Sequence, residues 1–105
     1  MNPNANIPRV NGALLPGYLG RRVRLVGRVV DVTQGILETS DAMQVRILYQ
    51  PGQTPQSTYI EVIGVVQSDG SIHEEMTVSF GETFHLGNYD QVIQLSALHP
   101  GPFSS

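Results

Sequence analysis

Cysteine and lysine are both absent from this sequence of 105 residues. Without cysteine, the sequence has no disulfide, no thiolate nucleophile and no thiolate ligand for zinc. Long apolar runs are missing too, since none approaches the roughly 18–20 residues that a membrane-spanning helix needs. The start of the chain is polar and lacks the basic and then apolar pattern of a signal peptide. These absences predict a soluble intracellular protein.

Positive charge is scarce: six arginines face nine acidic residues, which gives a net charge of −3. Nucleic-acid-binding domains gain most of their affinity by neutralising phosphates and usually carry an excess of basic residues. The composition therefore argues against strong binding of nucleic acid by this chain alone. Four of the six arginines lie between Arg21 and Arg28, so a local basic patch stays open.

Motifs of catalysis and cofactor binding are also lacking, including the P-loop, Gly-x-Ser-x-Gly and the dinucleotide fingerprint. His73, His85 and His99 lie 12 and 14 residues apart, too far for the short spacing that puts two imidazoles on one metal. Glu74 and Glu75 are neighbours on a predicted strand, so their side chains should point to opposite faces. We interpret this pair as a solvated edge, and the sequence predicts no catalytic residue, metal or cofactor.

Five segments rich in β-branched residues predict five strands, at residues 23–33, 36–39, 43–49, 58–67 and 72–80. Gly27 and Gly64 fall inside two of them, where glycine usually marks the bulge or sharp bend that a small barrel needs. The sequence therefore predicts a single domain over residues 1–105, an all-β, five-stranded antiparallel OB-fold barrel at 22–80. A small open sheet or sandwich is the alternative.

The two ends of the chain have a different composition. Residues 1–12 are rich in Asn and Pro and predict a flexible arm, followed by a short helix with Asn11 as its cap. After Gly81 the apolar period changes to that of a helix, predicted at 86–99, with one stripe formed by Leu86, Tyr89, Val92, Ile93 and Ala97. Leu95 and Leu98 lie outside this stripe, so the helix is apolar beyond one face. We expect it to contact something besides its own barrel.

With this layout the sequence resembles the smallest subunits of eukaryotic replication protein A. The resemblance rests on residues 8–11 (PRVN), 23–29 (VRLVGRV), 60–64 (IEVIG) and 84–93 (FHLGNYDQVI). It implies an OB-fold subunit of a nuclear heterotrimer that serves DNA replication, repair and recombination, without an enzymatic activity. It also implies that the C-terminal helices of the small, middle and large subunits form a bundle, and that single-stranded DNA is bound mainly through the complex. In that bundle Leu86, Tyr89, Val92, Ile93 and Ala97 would form this chain's interface.

Arg24, Arg28 and Arg46 are the candidate nucleic-acid-binding residues, because they lie on strands expected to form one barrel face. We favour surface ion pairs with Glu38, Glu61 or Asp31 as their role. Tyr49 and Tyr59 could stack on bases, although a core role is the favoured interpretation. The absence of lysine and the Pro-rich loop at 49–57 depart from the family pattern. Two alternatives stay open: an independent module that binds single-stranded DNA, and the small OB subunit of the telomere-capping complex.

Overall fold

The computed structural model describes residues 7–98, apart from the side chains of Val92 and of residues 95–98. Residues 1–6 of the predicted arm and His99 at the end of the predicted helix lie outside the described residues. The described elements are six strands, a short 3₁₀ helix at Leu15–Tyr18 and a C-terminal helix, α1, at Leu86–Leu98. The strands are β1 (Arg9–Val10), β2 (Arg22–Asp31), β3 (Ile36–Thr39), β4 (Gln44–Leu48), β5 (Tyr59–Val66) and β6 (Ile72–Gly81).

Strands β2 to β6 close into a barrel in the order β2-β3-β4-β6-β5, with β5 pairing back onto β2. This is the predicted OB-fold barrel. The structure corrects two details, because there are six strands in place of five and two pairings, β1–β2 and β4–β6, are parallel. The β4–β6 pairing is parallel because both strands run in the same direction as β2. Strand β4 is antiparallel to β3, which is antiparallel to β2, and β6 is antiparallel to β5, which is also antiparallel to β2.

The barrel interior is filled by aliphatic side chains. Leu25, Leu37, Ile60 and Ile72 each come from a different strand and are fully buried. In β4 the alternation is complete, because Val45 and Ile47 are buried while the residues between and beside them are exposed. The period of two in the sequence therefore identifies the inner face correctly.

Gly27 and Gly64 lie where neighbouring strands approach too closely for a side chain. A Cβ atom at Gly27 would lie 2.6 Å from Cγ of Leu37 in β3, and one at Gly64 would clash with the carbonyl oxygen of His73 in β6. The β5–β6 register also shifts between Ile63 and Gly64, which is the irregularity predicted at this glycine.

The described part of the predicted arm, residues 7–12, is built into the sheet. Strand β1 pairs with β2 at Arg24 and Leu25, and Val10 is fully buried. Because Val10 adds to the core beside β2, residues 7–12 form part of the sheet in place of the flexible arm that the Asn- and Pro-rich composition predicted. Asn11 Oδ1 accepts a 3.1 Å hydrogen bond from the amide of Leu14 and so closes the turn before the 3₁₀ helix. It does not cap that helix as predicted, because the N-cap residue is Leu14, which forms no side-chain cap bond.

Candidate partner and nucleic-acid surfaces

Helix α1 is fastened to the barrel by Asp90. This carboxylate is buried, with 7% of its surface exposed. Its Oδ1 accepts hydrogen bonds from Asn11 Nδ2 at 2.9 Å and from Ser40 Oγ at 2.8 Å. Gln94, one turn later in α1, donates to Oδ2 at 2.5 Å. One side chain therefore joins the helix to the segment after β1 and to the turn after β3.

The register of the strands shows where α1 crosses the sheet. In β1, Val10 pairs with Leu25 of β2, and Asn11 is the next residue. In β3, Thr39 pairs with Gly27 of β2, and Ser40 is the next residue. Asn11 and Ser40 therefore both lie beside Val26. Val26 belongs to the outer face of the barrel, opposite Glu61 of β5, yet it is fully buried. The two polar contacts of α1 with the barrel therefore lie beside Val26 on the outer face.

Ile93, one turn beyond Asp90, is only 2% exposed. It lies outside the main core cluster of the barrel, as do Val26 and Ile63 on the outer face. The contact region between α1 and the barrel, here called the helix seam, consists of Asp90 and Tyr89 on the helix with Asn11, Ser40 and Glu61 on the barrel, together with the buried Ile93. It combines apolar burial with hydrogen bonds.

Tyr89 is the most unusual member of the seam, because its hydroxyl is buried and has no hydrogen-bond partner among the described residues. Burial, and secondly the negative charge of Glu61, raise the pKa of Tyr89 to about 12. The ring of Tyr89 stacks at a tilt on Phe84, with centroids 5.8 Å apart, and Phe84 also contacts Phe80 and Tyr59. Glu61 lies 4.0 Å from Arg9, which partly neutralises the carboxylate.

The five predicted interface residues on α1 therefore differ in their surroundings. Ile93 is covered by its own chain and Tyr89 is half-buried in the seam, so neither is an open contact surface in the chain alone. Leu86 is half-buried at the start of the helix. The side chains of Val92 and Ala97 lie outside the described part. Sequence reasoning missed Asp90, although its position at the edge of the apolar stripe, beside Leu86 and Ala97 on the helical wheel, was a signal that it points inward.

The three candidate arginines have three different environments. Arg24 donates from Nε to the carbonyl oxygen of Ile7 at 2.8 Å and holds the segment before β1. Arg28 forms an ion pair with Glu38, 3.2 Å from Nη2 to Oε1, which is one of the surface pairs favoured from the sequence. Arg46 is exposed on β4 and has no described carboxylate within 4.0 Å. Of the three, only Arg46 presents a guanidinium without a described protein acceptor or ion-pair partner.

The aromatic candidates for base stacking are mostly structural. Tyr49 packs against the barrel core, as does Tyr18, whose ring also lies 5.1 Å from the guanidinium carbon of Arg21. Burial, followed by the charge of Glu74, raises the pKa of Tyr49 to about 12. Tyr59 belongs to the aromatic cluster around Phe84. The core interpretation is therefore correct for Tyr49.

Glu74 and Glu75 point to opposite faces, as predicted, but only one of them is solvated. Glu74 is buried and accepts hydrogen bonds from the amide of Gln50 and from Thr77 Oγ1. Glu75 forms an exposed ion pair with Arg22, 2.5 Å from Oε1 to Nε. Hydrogen bonding to the 50–57 loop is the reason that Glu74 departs from the predicted solvated edge. Between residues 7 and 98 no three metal-ligating side chains cluster, and no helix there is long and apolar enough to cross a membrane.

Comparison with known proteins identifies relatives over nearly the whole chain. The family model of replication factor A protein 3 matches residues 1–103. A replication protein A 14 kDa subunit of Arabidopsis thaliana is 39% identical over 89 residues, or 83% of each chain. The 14 kDa subunit of Oryza sativa subsp. japonica is 33% identical over the same shares.

Solved structures give the same result at the level of the fold. A chain in the structure of U. maydis replication protein A bound to ssDNA superposes with a TM-score of 0.84 at 34% identity. That superposition covers 94% of this chain and 96% of the other. A chain of the S. pombe Stn1-ten1 complex superposes with a TM-score of 0.68, covering 90% and 94%, at 17% identity. The latter likeness shows a shared fold alone.

Proposed function

The chain belongs to the replication factor A protein 3 family, and we propose that it is the small, non-catalytic subunit of a nuclear replication protein A complex. In this proposal the barrel presents α1 to a middle and a large subunit, and their C-terminal helices associate with α1 as a bundle. The observation that carries the proposal is the polar attachment of α1 through Asp90 to Asn11 and Ser40. This attachment fixes one face of the helix on the barrel, and in this proposal the opposite face contacts the partners.

Helical periodicity indicates which face is available. On a helical wheel of the sequence, Leu95 and Leu98 fall about 160° and 140° from Ile93, on the side opposite the seam. Gln91, whose side chain is exposed, falls on that side as well. We therefore propose Leu95 and Leu98, with Val92 at the flank, as the contact residues. Tyr89 and Ile93 would support assembly indirectly by holding the helix in place.

Co-expression with middle subunits tests this assignment. We expect the wild-type chain to form a stable complex on size-exclusion chromatography and a Leu95→Asp/Leu98→Asp variant to lose it while the barrel stays folded. Buried aliphatic contacts contribute about 1.5–3 kcal/mol each, so two lost contacts should weaken the complex by about a hundredfold or more. A Gln91→Ala variant on the same side is the matched control. Wild-type assembly by the Leu95→Asp/Leu98→Asp variant would exclude a helix-bundle interface.

Single-stranded DNA is bound mainly by other parts of the complex in this proposal. Its support is the net charge of −3 and the engagement of Arg24 and Arg28 with groups of their own chain. We expect the isolated chain to bind labelled oligothymidylate weakly at low ionic strength. Tight, salt-dependent binding by the chain alone, lost on Arg46→Glu, would favour an independent DNA-binding module.

A further inference from the structure

Strand β4 is only half paired on the side of the barrel that faces β6. Across residues 7–98, β4 and β6 pair at Ile47 and Leu48 alone, whereas β3 pairs with β4 from Gln44 to Arg46. The amide of Ile47 donates to Gly35 and the carbonyl of Met43 accepts from Thr39, so odd-numbered residues direct their main-chain groups to β3. Because these groups alternate along a strand, the amides of Gln44 and Arg46 point the other way, toward the gap.

A groove of about 500 Å³ lies along this open edge. Its apolar lining comes from the 3₁₀ segment and β4 and includes Leu15, Leu19, Met43 and Val45. Leu19 and Met43 are 49% and 47% exposed, so both present apolar surface to a ligand in the groove. The turn at residues 68–71 forms the opposite wall, and Arg46 lies at the rim. The groove thus combines an unpaired strand edge with an apolar lining and a cation.

We propose that this groove binds an extended peptide segment of a partner protein as an added β-strand beside β4. The outward amides of Gln44 and Arg46 would pair with the main chain of the peptide. Alternate side chains of an added strand point to one face, so an apolar residue of the peptide would fill the space between Leu19 and Met43. Arg46, which has no described ion-pair partner, favours a peptide that carries an acidic residue beside the apolar one.

A peptide fits this groove better than single-stranded DNA does. Binding of single strands relies on aromatic platforms and a positively charged channel. None of the described residues that line the groove is aromatic, and Arg46 is the only cation among them, with Asp69 on the opposite wall. Arg46 lies near enough to help lower the pKa of Asp69, although the hydrogen bonds from Ser71 are the main cause. A groove lined by apolar side chains and a single cation, without an aromatic platform, favours a peptide ligand.

The test uses the whole 105-residue chain as bait for a random peptide library displayed on phage. We expect enriched peptides to share an apolar residue and an acidic residue within an extended segment. The most enriched peptide, synthesised with a fluorescent label, is then titrated against three variants. Gln44→Pro removes one outward amide and keeps the bonds to β3, since proline is tolerated on strand edges whose N–H faces solvent. Gln44→Ala is the matched control, and Leu19→Glu/Met43→Glu removes the apolar lining.

We expect Gln44→Pro to weaken peptide binding by about tenfold or more and Gln44→Ala to change it by less than about twofold. Leu19→Glu/Met43→Glu should abolish binding and keeps the proposal testable if Gln44→Pro unfolds the barrel, because both replaced side chains are exposed. Failure to enrich any peptide would overturn the proposal, as would equal binding by the wild type and Leu19→Glu/Met43→Glu. If no peptide binds and labelled oligothymidylate occupies the same groove, the ligand is a nucleic acid, and that result would also overturn the proposal.

Discussion

The barrel interior and the helix seam bury side chains of different chemistry. Inside the barrel, aliphatic residues from six strands meet, and the largest of these residues, such as Leu25 and Leu37, are fully buried. In the seam, a carboxylate, an amide and a hydroxyl meet through Asp90, Asn11 and Ser40, with Ile93 as the apolar member. The two regions lie on opposite sides of strand β2.

This difference shows that aliphatic contacts and hydrogen bonds serve different purposes in the protein. Burial of aliphatic surface is strong and nearly independent of direction, so it stabilises the barrel against unfolding. Hydrogen bonds are weaker in net terms but directional, so they fix the position and the rotation of a helix. A subunit that presents one helix face to partners requires both, and the predictions below separate them.

Leu25→Ala should have the largest effect, because it removes a fully buried side chain from the centre of the barrel. Large-to-small substitutions of this kind lower the free energy of unfolding by about 2–5 kcal/mol. Urea titration followed by circular dichroism measures the loss, which should affect the barrel and α1 together. A loss confined to α1 would show that the barrel interior is not the main source of stability.

Asp90→Ala should have the next largest effect and should act on the helix alone. It leaves the amide of Asn11 and the hydroxyl of Ser40 without their acceptor, at a cost of about 1–3 kcal/mol. Hydrogen–deuterium exchange should show faster exchange in α1 with the β2 and β5 amides still protected. Gln91→Ala, at an exposed neighbouring position, is the control and should leave exchange unchanged. Uniform loss of protection in the barrel would contradict a division between core and seam.

Sequence periodicity predicted the barrel well because its burial follows a simple rule. Burial alternates along β3 and β4, and the five predicted segments coincide with β2 to β6 within about three residues at each end. Gly27 and Gly64 also indicated where neighbouring strands approach closely, since a side chain does not fit at either position. The two-residue strand β1 was missed because its burial depends on pairing with Leu25, which the local sequence does not encode.

The helix seam was harder to predict because its contacts are polar and distant in sequence. Asp90 and Asn11 are 79 residues apart, and nothing in either local sequence marks the other as its partner. The apolar stripe predicted helix α1, but it could not distinguish a face that packs on the chain's own barrel from one that packs on another subunit. Ile93 shows this directly, since it was predicted at a partner interface and is buried by its own chain.

Tyr89→Phe should change the free energy of unfolding by less than Asp90→Ala does, and the sign of the change is informative. It removes a buried hydroxyl that has no partner among the described residues, so stability at neutral pH should stay constant or rise by up to about 1 kcal/mol. A fall of more than that would show that the hydroxyl forms a stabilising hydrogen bond.

Alkaline pH gives a second measurement on the same residue. Burial raises the pKa of Tyr89 to about 12 in the folded chain, above the value of about 10 for an unfolded tyrosine. The unfolded chain therefore loses this proton first, and stability should fall as pH rises from about 10 to about 12. Tyr49, whose pKa is also raised to about 12, adds to this fall. Urea titrations across this range should show a shallower fall for Tyr89→Phe, and an unchanged slope would contradict the burial of its hydroxyl.

Arg28→Gln should have the smallest effect on the free energy of unfolding. It tests whether a directional polar contact stabilises the protein when it is exposed as well as when it is buried. The Arg28–Glu38 pair is as directional as the bonds of Asp90, with 3.2 Å between Nη2 and Oε1, but its side chains are 42% and 31% exposed. Exposed ion pairs contribute only about 0.2–1 kcal/mol, because water competes with the partners and salt screens their charges. We expect a change within that range, measured by urea titration, which shrinks further in high salt. A loss as large as that of Asp90→Ala would mean that directional contacts stabilise this protein whether or not they are buried. A small loss would show that the buried position of Asp90 is what makes its hydrogen bonds costly to remove.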